Sequence, residues 1–94
     1  MPLFVLHCLD KPNNVAGRMA AREAHLAYVR QNADSFRLGG PYLDEAGQMV
    51  GSLIIIEVAD MAAAKAWTAN DPYRDIFQSV EIRPFRVTAG SIGA

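Results

Sequence analysis

The segment Leu53-Ile54-Ile55-Ile56 limits the possible folds of this chain more than any other feature of its sequence. It lies within a predicted strand from Val50 to Val58, and successive side chains of a strand point to opposite faces of a sheet. The first and third residues of the segment therefore face one way, and the second and fourth face the other. Because all four are apolar, we expect both faces of this strand to be buried.

The rest of the chain predicts three more strands and two helices. A second nearly unbroken apolar run, Leu3 to Leu9, indicates another central strand. Pro41 and Pro84 lie in the two remaining strands, which places those strands at the edges of the sheet. The predicted elements are a strand at 3–9, a helix at 15–32, a strand at 36–43, a turn at 44–48, a strand at 50–58, a helix at 61–68 capped by Asp60, a short turn or helix ending at Phe77, and a strand at 80–88.

This order is the ferredoxin-like βαββαβ arrangement of the α+β class, with an antiparallel sheet in spatial order 4-1-3-2. A chain of 94 residues is expected to form one domain, residues 1–94, with 89–94 as a loose tail rich in Gly, Ser and Ala. Two helices cover only one face of the sheet, and 51% of the residues are hydrophobic. Since no segment remains for the second face, we predict a homodimer that pairs sheet against sheet, a dimeric α+β barrel.

Composition argues against several classes of function. The net charge of −1 and the lack of a basic run argue against nucleic-acid binding. No apolar stretch approaches the length of a membrane span, and the N-terminus lacks the pattern of a signal peptide. The single cysteine, Cys8, fits a reducing compartment, so we expect a cytoplasmic protein with no membrane partner. Two histidines and scattered carboxylates match no metal motif, and no cofactor fingerprint is present, so we expect neither metal nor cofactor.

The residues that point to chemistry are His25 and Asp71. His25 lies in the first predicted helix, where Val15, Met19, Leu26, Val29 and Ala33 form one apolar side and Arg22 lies near its middle. Asp71 precedes Pro72, so its backbone is extended and no helix continues through it. An imidazole and a carboxylate are the components of an acid–base pair if the two segments meet.

Each of these residues also has a structural interpretation. Arg22 can extend its charge to solvent or pair with a structural carboxylate such as Asp71 or Asp75. A histidine on the flank of a helix is commonly a partly exposed residue. Asp followed by Pro is a standard helix start, so Asp71 is equally suited to be an N-cap. The sequence leaves these alternatives open.

Several motifs along the chain resemble the YciI-like, or YCII-related, family. They are Arg22-x-x-His25-Leu26, Gly40-Pro41, Gly51-Ser52, Asp71-Pro72-Tyr73 and Val80-Glu81-Ile82-Arg83-Pro84-Phe85, and together they extend from Leu3 to Val87. The resemblance implies a dimeric α+β barrel with a His25–Asp71 dyad in a pocket on each subunit. By position it also implies substrate-binding roles for Arg22, Gly40, Pro41, Ser52 and Tyr73. The segment Phe36-Arg37-Leu38-Gly39 departs from the usual family pattern before the Gly-Pro pair.

Two functional hypotheses follow. The first is a cofactor-independent general acid–base enzyme, a lyase or isomerase, with His25 as base and Asp71 as its orienting partner. Its expected substrate is a small oxygenated cyclic compound of the kind met in aromatic degradation, the class that the resemblance implies. The alternative is a non-catalytic dimeric module that binds a small ligand in the same pocket.

Overall fold

Four antiparallel strands form one sheet, and both helices pack on the same face of it. The computed structural model describes residues 1–91. Its elements in chain order are β1 (Leu3–Asp10), α1 (Val15–Gln31), β2 (Phe36–Leu43), β3 (Met49–Glu57), α2 (Met61–Ala69), a 3-10 turn (Pro72–Asp75) and β4 (Phe77–Phe85). The spatial order is β2-β3-β1-β4, so the predicted fold class and strand order are confirmed.

The two apolar strands are central, as their sequences predict. β1 pairs with β3 over most of its length, with Leu6 opposite Ile54. The prolines are in the edge strands: Pro41 of β2 lies opposite Ser52, and Pro84 of β4 lies opposite Phe4. An edge strand accommodates proline because one side of its backbone needs no ladder hydrogen bonds.

The core fills the space between the helices and one face of the sheet. Alternate residues of β1 and β3, including Leu6, Cys8 and Ile56, are almost fully buried there. Trp67 of α2 packs against them, and its backbone carbonyl accepts a 2.7 Å hydrogen bond from the Tyr28 hydroxyl of α1. Asp60 caps α2 as predicted, accepting a 2.9 Å hydrogen bond from the backbone N–H of Ala63.

The last strand and the tail differ from the sequence prediction. β4 begins at Phe77 and ends at Phe85, whereas the sequence predicted residues 80–88. A register shift between Leu9 and Asp10 of β1 lets the pairing continue to Phe77, and this irregularity has no signal in the sequence. Of the predicted tail, residues 89–91 are exposed and lie outside any helix or strand, and 92–94 lie outside the described residues.

The inward side of α1 is rotated from the apolar stripe that the sequence suggested. Met19, which was expected to face the sheet, is 51% exposed, while Arg18 is only 2% exposed. Val29 packs against the core as predicted, and Ala21 and Tyr28 complete the packed side. The stripe inferred from apolar residues begins about one residue too far along α1. The residue that points inward in the first turn is Arg18, which is charged and therefore was not part of that stripe.

The second face of the sheet carries no helix, and we call it the open face. It presents Val5 and His7 of β1 and Leu53 and Ile55 of β3, all partly exposed in the single chain. His7 Nδ1 lies 2.7 Å from the hydroxyl of Tyr42. Tyr42 is a residue of β2 that pairs with Gly51 of β3, so its side chain extends over β3 to reach His7 on β1. The helices within residues 1–91 include none long and apolar enough to cross a membrane.

Candidate active site

A cavity of about 320 Å³ lies between α1 and the β2–β3 side of the sheet. Its volume is in the range typical of sites for small molecules. Its walls combine an apolar lining with a few polar groups. The apolar residues are Leu26, Val29, Phe36, Met49 and Ile54, and the polar residues are Arg18, Arg22, His25, Ser52 and Tyr73.

His25 and Asp71 meet at the wall of this cavity. His25 Nδ1 lies 2.8 Å from Asp71 Oδ1, and the side chains are 12% and 1% exposed. A carboxylate at this distance accepts the Nδ1–H of a neutral imidazole and leaves Nε2 as the unprotonated nitrogen. The geometry therefore holds the ring in the tautomer that a base requires.

Asp71 also caps the 3-10 turn that follows it. Its Oδ1 accepts a 2.9 Å hydrogen bond from the backbone N–H of Tyr73, and Pro72 occupies the first position of the turn. The two alternatives for Asp71 in the sequence therefore occur together, through one oxygen atom. The cap holds the carboxylate in the position where it contacts His25, so the orientation of the imidazole depends on this turn.

Tyr73 links the dyad to the rest of the cavity wall. Its ring stacks on the His25 imidazole with centroids 3.9 Å apart and planes 11° apart. The guanidinium carbon of Arg18 lies 4.6 Å from the centroid of the same ring. Burial raises the pKa of the Tyr73 hydroxyl, and the positive charge of Arg18 offsets part of that rise. The phenol therefore stays protonated at neutral pH.

Arg18 is the site residue that the sequence did not reveal. It pairs with Asp10 at the end of β1 through two hydrogen bonds, 2.7 Å from Nε and 2.9 Å from Nη2. Nη2 donates a further 2.8 Å hydrogen bond to the hydroxyl of Ser52 on β3. Burial alone would lower the pKa of Arg18, but the hydrogen bonds and charge of Asp10 outweigh it and raise the pKa above its usual value.

The remaining predicted site residues take different positions around the cavity. Ser52 is buried at its wall, whereas Arg22 lies at its rim with a side chain that is 48% exposed. The carboxylate nearest to Arg22 is that of Glu23, at 3.9 Å, and within residues 1–91 neither Asp71 nor Asp75 pairs with it. Arg22 is thus an exposed cation at the entrance rather than a buried one.

The glycine-proline segment of β2 forms one wall with little more than backbone. Gly39, Gly40 and Pro41 all line the cavity. A Cβ added to Gly39 would come within 2.6 Å of the Phe36 ring, whereas one added to Gly40 would meet nothing within 4 Å. Gly39 is therefore the residue whose missing side chain leaves room beside the cavity, although Gly40 was the one singled out by sequence.

Cys8 lies under the site and takes no part in its polar network. Burial, together with the charge of Asp71, raises the pKa of its thiol to about 12. It is thus a neutral core residue, in keeping with the apolar strand that carries it. Within residues 1–91, the His, Cys, Asp and Glu side chains form no group of three that could hold a metal ion.

This arrangement combines a histidine held by a buried carboxylate, a buried cation with a hydroxyl beside it, and a cavity with a largely apolar lining. Such a set can remove a proton from a bound molecule and stabilise the negative charge that results.

Solved structures similar to this fold include enzymes. A 5-chloro-2-hydroxyhydroquinone dehydrochlorinase (TftG) from Burkholderia phenoliruptrix AC1100, in complex with 2,5-dihydroxybenzoquinone, superposes with a TM-score of 0.79 and 26% identity. The match covers 94% of this chain and 95% of that one. A NIPSNAP domain protein from Burkholderia xenovorans shares only the fold, with a TM-score of 0.56, 14% identity and coverage of 99% and 100%.

Sequence comparison gives the family directly. An uncharacterized protein from Haemophilus influenzae is 35% identical, in an alignment that covers 88% of this chain and 95% of that protein. Protein YciI from Escherichia coli O6:H1 is 33% identical, covering 89% and 96%. The family model of the YCII-related domain matches residues 2–86. The resemblance noted in the sequence is confirmed, and the chain belongs to the YCII-related family.

Proposed function

We propose that this protein is a cofactor-independent acid–base enzyme, a lyase or isomerase, that acts on small oxygenated cyclic compounds. The observation that carries the proposal is the 2.8 Å contact between His25 Nδ1 and Asp71 Oδ1 at the wall of the cavity. The likeness to a dehydrochlorinase supports a small-molecule-processing enzyme in the broad sense. A protein that only binds a ligand has no need of a histidine held by a buried carboxylate.

His25 is the general base in this proposal. Its Nε2 removes a proton from a ring hydroxyl or from a carbon next to a carbonyl, and the electron pair moves onto the substrate oxygen as an enolate. In a lyase reaction the carbonyl re-forms, a carbon–carbon double bond forms, and a leaving anion such as chloride departs from the saturated carbon β to that carbonyl. The imidazolium later gives its proton to water. In an isomerase reaction the imidazolium returns the proton to a different carbon.

Asp71 is the positioning residue for this base. Because its carboxylate is almost fully buried, its negative charge stabilises the imidazolium that forms when His25 takes a proton. The stacked Tyr73 ring keeps the imidazole from rotating away. Both contacts depend on the 3-10 turn that Asp71 caps.

The open face is, we propose, the surface through which two copies of this chain form a homodimer. Leu9 and Phe85 lie on this face and are 42% and 43% exposed in the single chain. Together with Leu53 and Ile55 they form an apolar surface on central and edge strands. Exposure of such a surface to water is unfavourable. A second copy presents the same residues and covers them symmetrically.

The test is turnover of 5-chloro-2-hydroxyhydroquinone and related ring compounds, followed by chloride release and by proton exchange with deuterated water. We expect His25→Gln to lower kcat by about 10²- to 10⁴-fold, the usual contribution of a general base. His7→Gln is the matched control, because His7 is the other of the two histidines and lies on the open face.

Two variants separate the roles of Asp71. Asp71→Asn keeps an oxygen for the Tyr73 amide and removes the charge, whereas Asp71→Ser keeps a capping hydroxyl too short to reach His25. Both should remain folded and lose activity. If His25→Gln processes the same substrates at the wild-type rate, His25 is not the base and the proposed mechanism is refuted. If wild type binds such compounds without converting any, the protein is a binding module.

A further inference from the structure

The closed end of the cavity contains hydrogen-bond donors that the proposed proton transfer does not use. Both hydrogens of Arg18 Nη2 are engaged, one by Asp10 and one by Ser52, and Nε is engaged by Asp10. Nη1 takes part in none of these three hydrogen bonds, and the Tyr73 side chain is a further neighbour of the guanidinium. Ser52 accepts from Arg18, and its own hydroxyl hydrogen has no acceptor among the same residues.

These donors open into the cavity. Arg18 is 2% exposed and Ser52 is 3% exposed, and both line the cavity. The small part of each residue that remains accessible therefore faces the cavity.

The charge of the cavity wall favours an anion. Two of the lining residues, Arg18 and Arg22, are cationic at neutral pH, and among residues 1–91 no Asp or Glu lines the cavity. Asp10 and Asp71 lie behind the wall, where each is already paired. A guanidinium held from behind by a carboxylate presents its remaining N–H groups in a fixed direction, which suits recognition of an oxyanion.

We propose that Arg18 Nη1 and the Ser52 hydroxyl form an oxyanion subsite, and that the ligand of this protein is a ring compound bound with an ionised oxygen. Arg18, Ser52 and His25 all line the same cavity of about 320 Å³, so one small ring can reach the subsite and the base together. The class is that of hydroxyquinones and other vinylogous acids, rather than neutral phenols or lactones. This inference deepens the proposed function in that it takes the same cavity as the substrate site.

Binding to the wild-type protein tests the subsite without any turnover. The probes are 2,5-dihydroxybenzoquinone, whose acidic hydroxyls are ionised at neutral pH, 2,5-dimethoxybenzoquinone, which is neutral and larger, and hydroquinone, which is neutral and smaller. Isothermal titration calorimetry should show binding of the anion at least about 10- to 100-fold tighter than either neutral ring, the ratio expected for hydrogen bonds to a charged group. Equal affinities, or no binding of any probe, would overturn the proposal.

Two variants tie the preference to the named atoms. Arg18→Lys keeps the charge but has no Nη1, and Ser52→Ala removes the hydroxyl, so each should reduce anion affinity by about tenfold or more. Arg30→Lys, an exposed arginine of the same helix, is the control and should leave affinity within about twofold. Ser52→Ala and the wild-type probe series remain informative if Arg18→Lys fails to fold.

The outcomes also separate this inference from the proposed function. Tight binding of the anion without turnover of any ring compound supports the subsite and refutes the enzyme. Turnover that depends on His25, with equal affinity for charged and neutral rings, refutes the subsite and supports the enzyme.

Discussion

Removing either partner of the Asp10–Arg18 pair should destabilise this protein far more than removing a surface ion pair. The two side chains are 4% and 3% exposed, so water screens their charges much less than those of a surface pair. Two hydrogen bonds of 2.7 Å and 2.9 Å hold them together. A single substitution, Asp10→Leu or Arg18→Met, leaves the other charge buried without a partner, which costs about 3–5 kcal/mol.

The double variant should cost much less than the two single variants together. Replacing both charges with apolar side chains of similar volume removes the unpaired charge, and such replacements are often close to neutral in stability. We therefore expect a coupling free energy of at least about 3 kcal/mol between the two positions. Losses of this size approach the whole stability of a small domain, about 5–15 kcal/mol.

Urea unfolding at one fixed protein concentration measures these differences. Trp67 is the single tryptophan and is buried in the core, so its fluorescence reports the transition. Arg30→Met is the control, because Arg30 is an exposed arginine of the same helix as Arg18, away from the cavity and the open face, and its loss should change stability little. Additive losses in the double variant, or single losses no larger than that of the control, would refute the reasoning.

Three further predictions concern the core, the cavity and the open face. Because the pKa of Cys8 rises to about 12 on folding from 9.0, the folded state holds this proton above pH 9 while the unfolded state releases it. Stability should therefore fall by up to about 1.4 kcal/mol per pH unit between pH 9 and 12 in wild type relative to Cys8→Ala, a slope that urea titrations measure. Gly39→Ala should push the Phe36 ring and weaken ligand binding, whereas Gly40→Ala should not, as calorimetry would show. Ile55→Glu should convert the expected dimer to a monomer in light scattering, and a wild-type monomer at micromolar concentration would contradict the homodimer.

The fold was accessible from sequence because its strongest constraints are local. An apolar strand without alternation must be covered on both faces, and a proline in a strand identifies an edge, whatever the rest of the chain does. The helix boundaries came from a capping residue, Asp60, and from composition. The start of β4 was missed because it depends on a register shift opposite Leu9, a property of paired strands that neither strand shows alone.

The site was only partly accessible for a related reason. The pair Asp71-Pro72 indicated an N-cap, which the structure contains. This pattern could not show that the capping oxygen also contacts His25. The position of Arg18 in the sequence favours exposure rather than burial, since an arginine in a first helical turn normally faces solvent. The signal that indicates its burial is Asp10 at the end of the preceding strand, and the pair becomes visible only when the β1–α1 turn brings the two together.

One oxygen of Asp71 both caps the Pro72–Asp75 turn and contacts His25. Local opening of this turn therefore also disables the proposed base. When the Pro72–Asp75 turn opens, the Tyr73 amide loses its acceptor, and the imidazole loses the partner that sets its tautomer. The amide proton of Tyr73 should therefore exchange with solvent only in molecules whose histidine is also disconnected. Its exchange rate, measured by NMR, would give the fraction of time that the site is assembled, without the need to know any substrate.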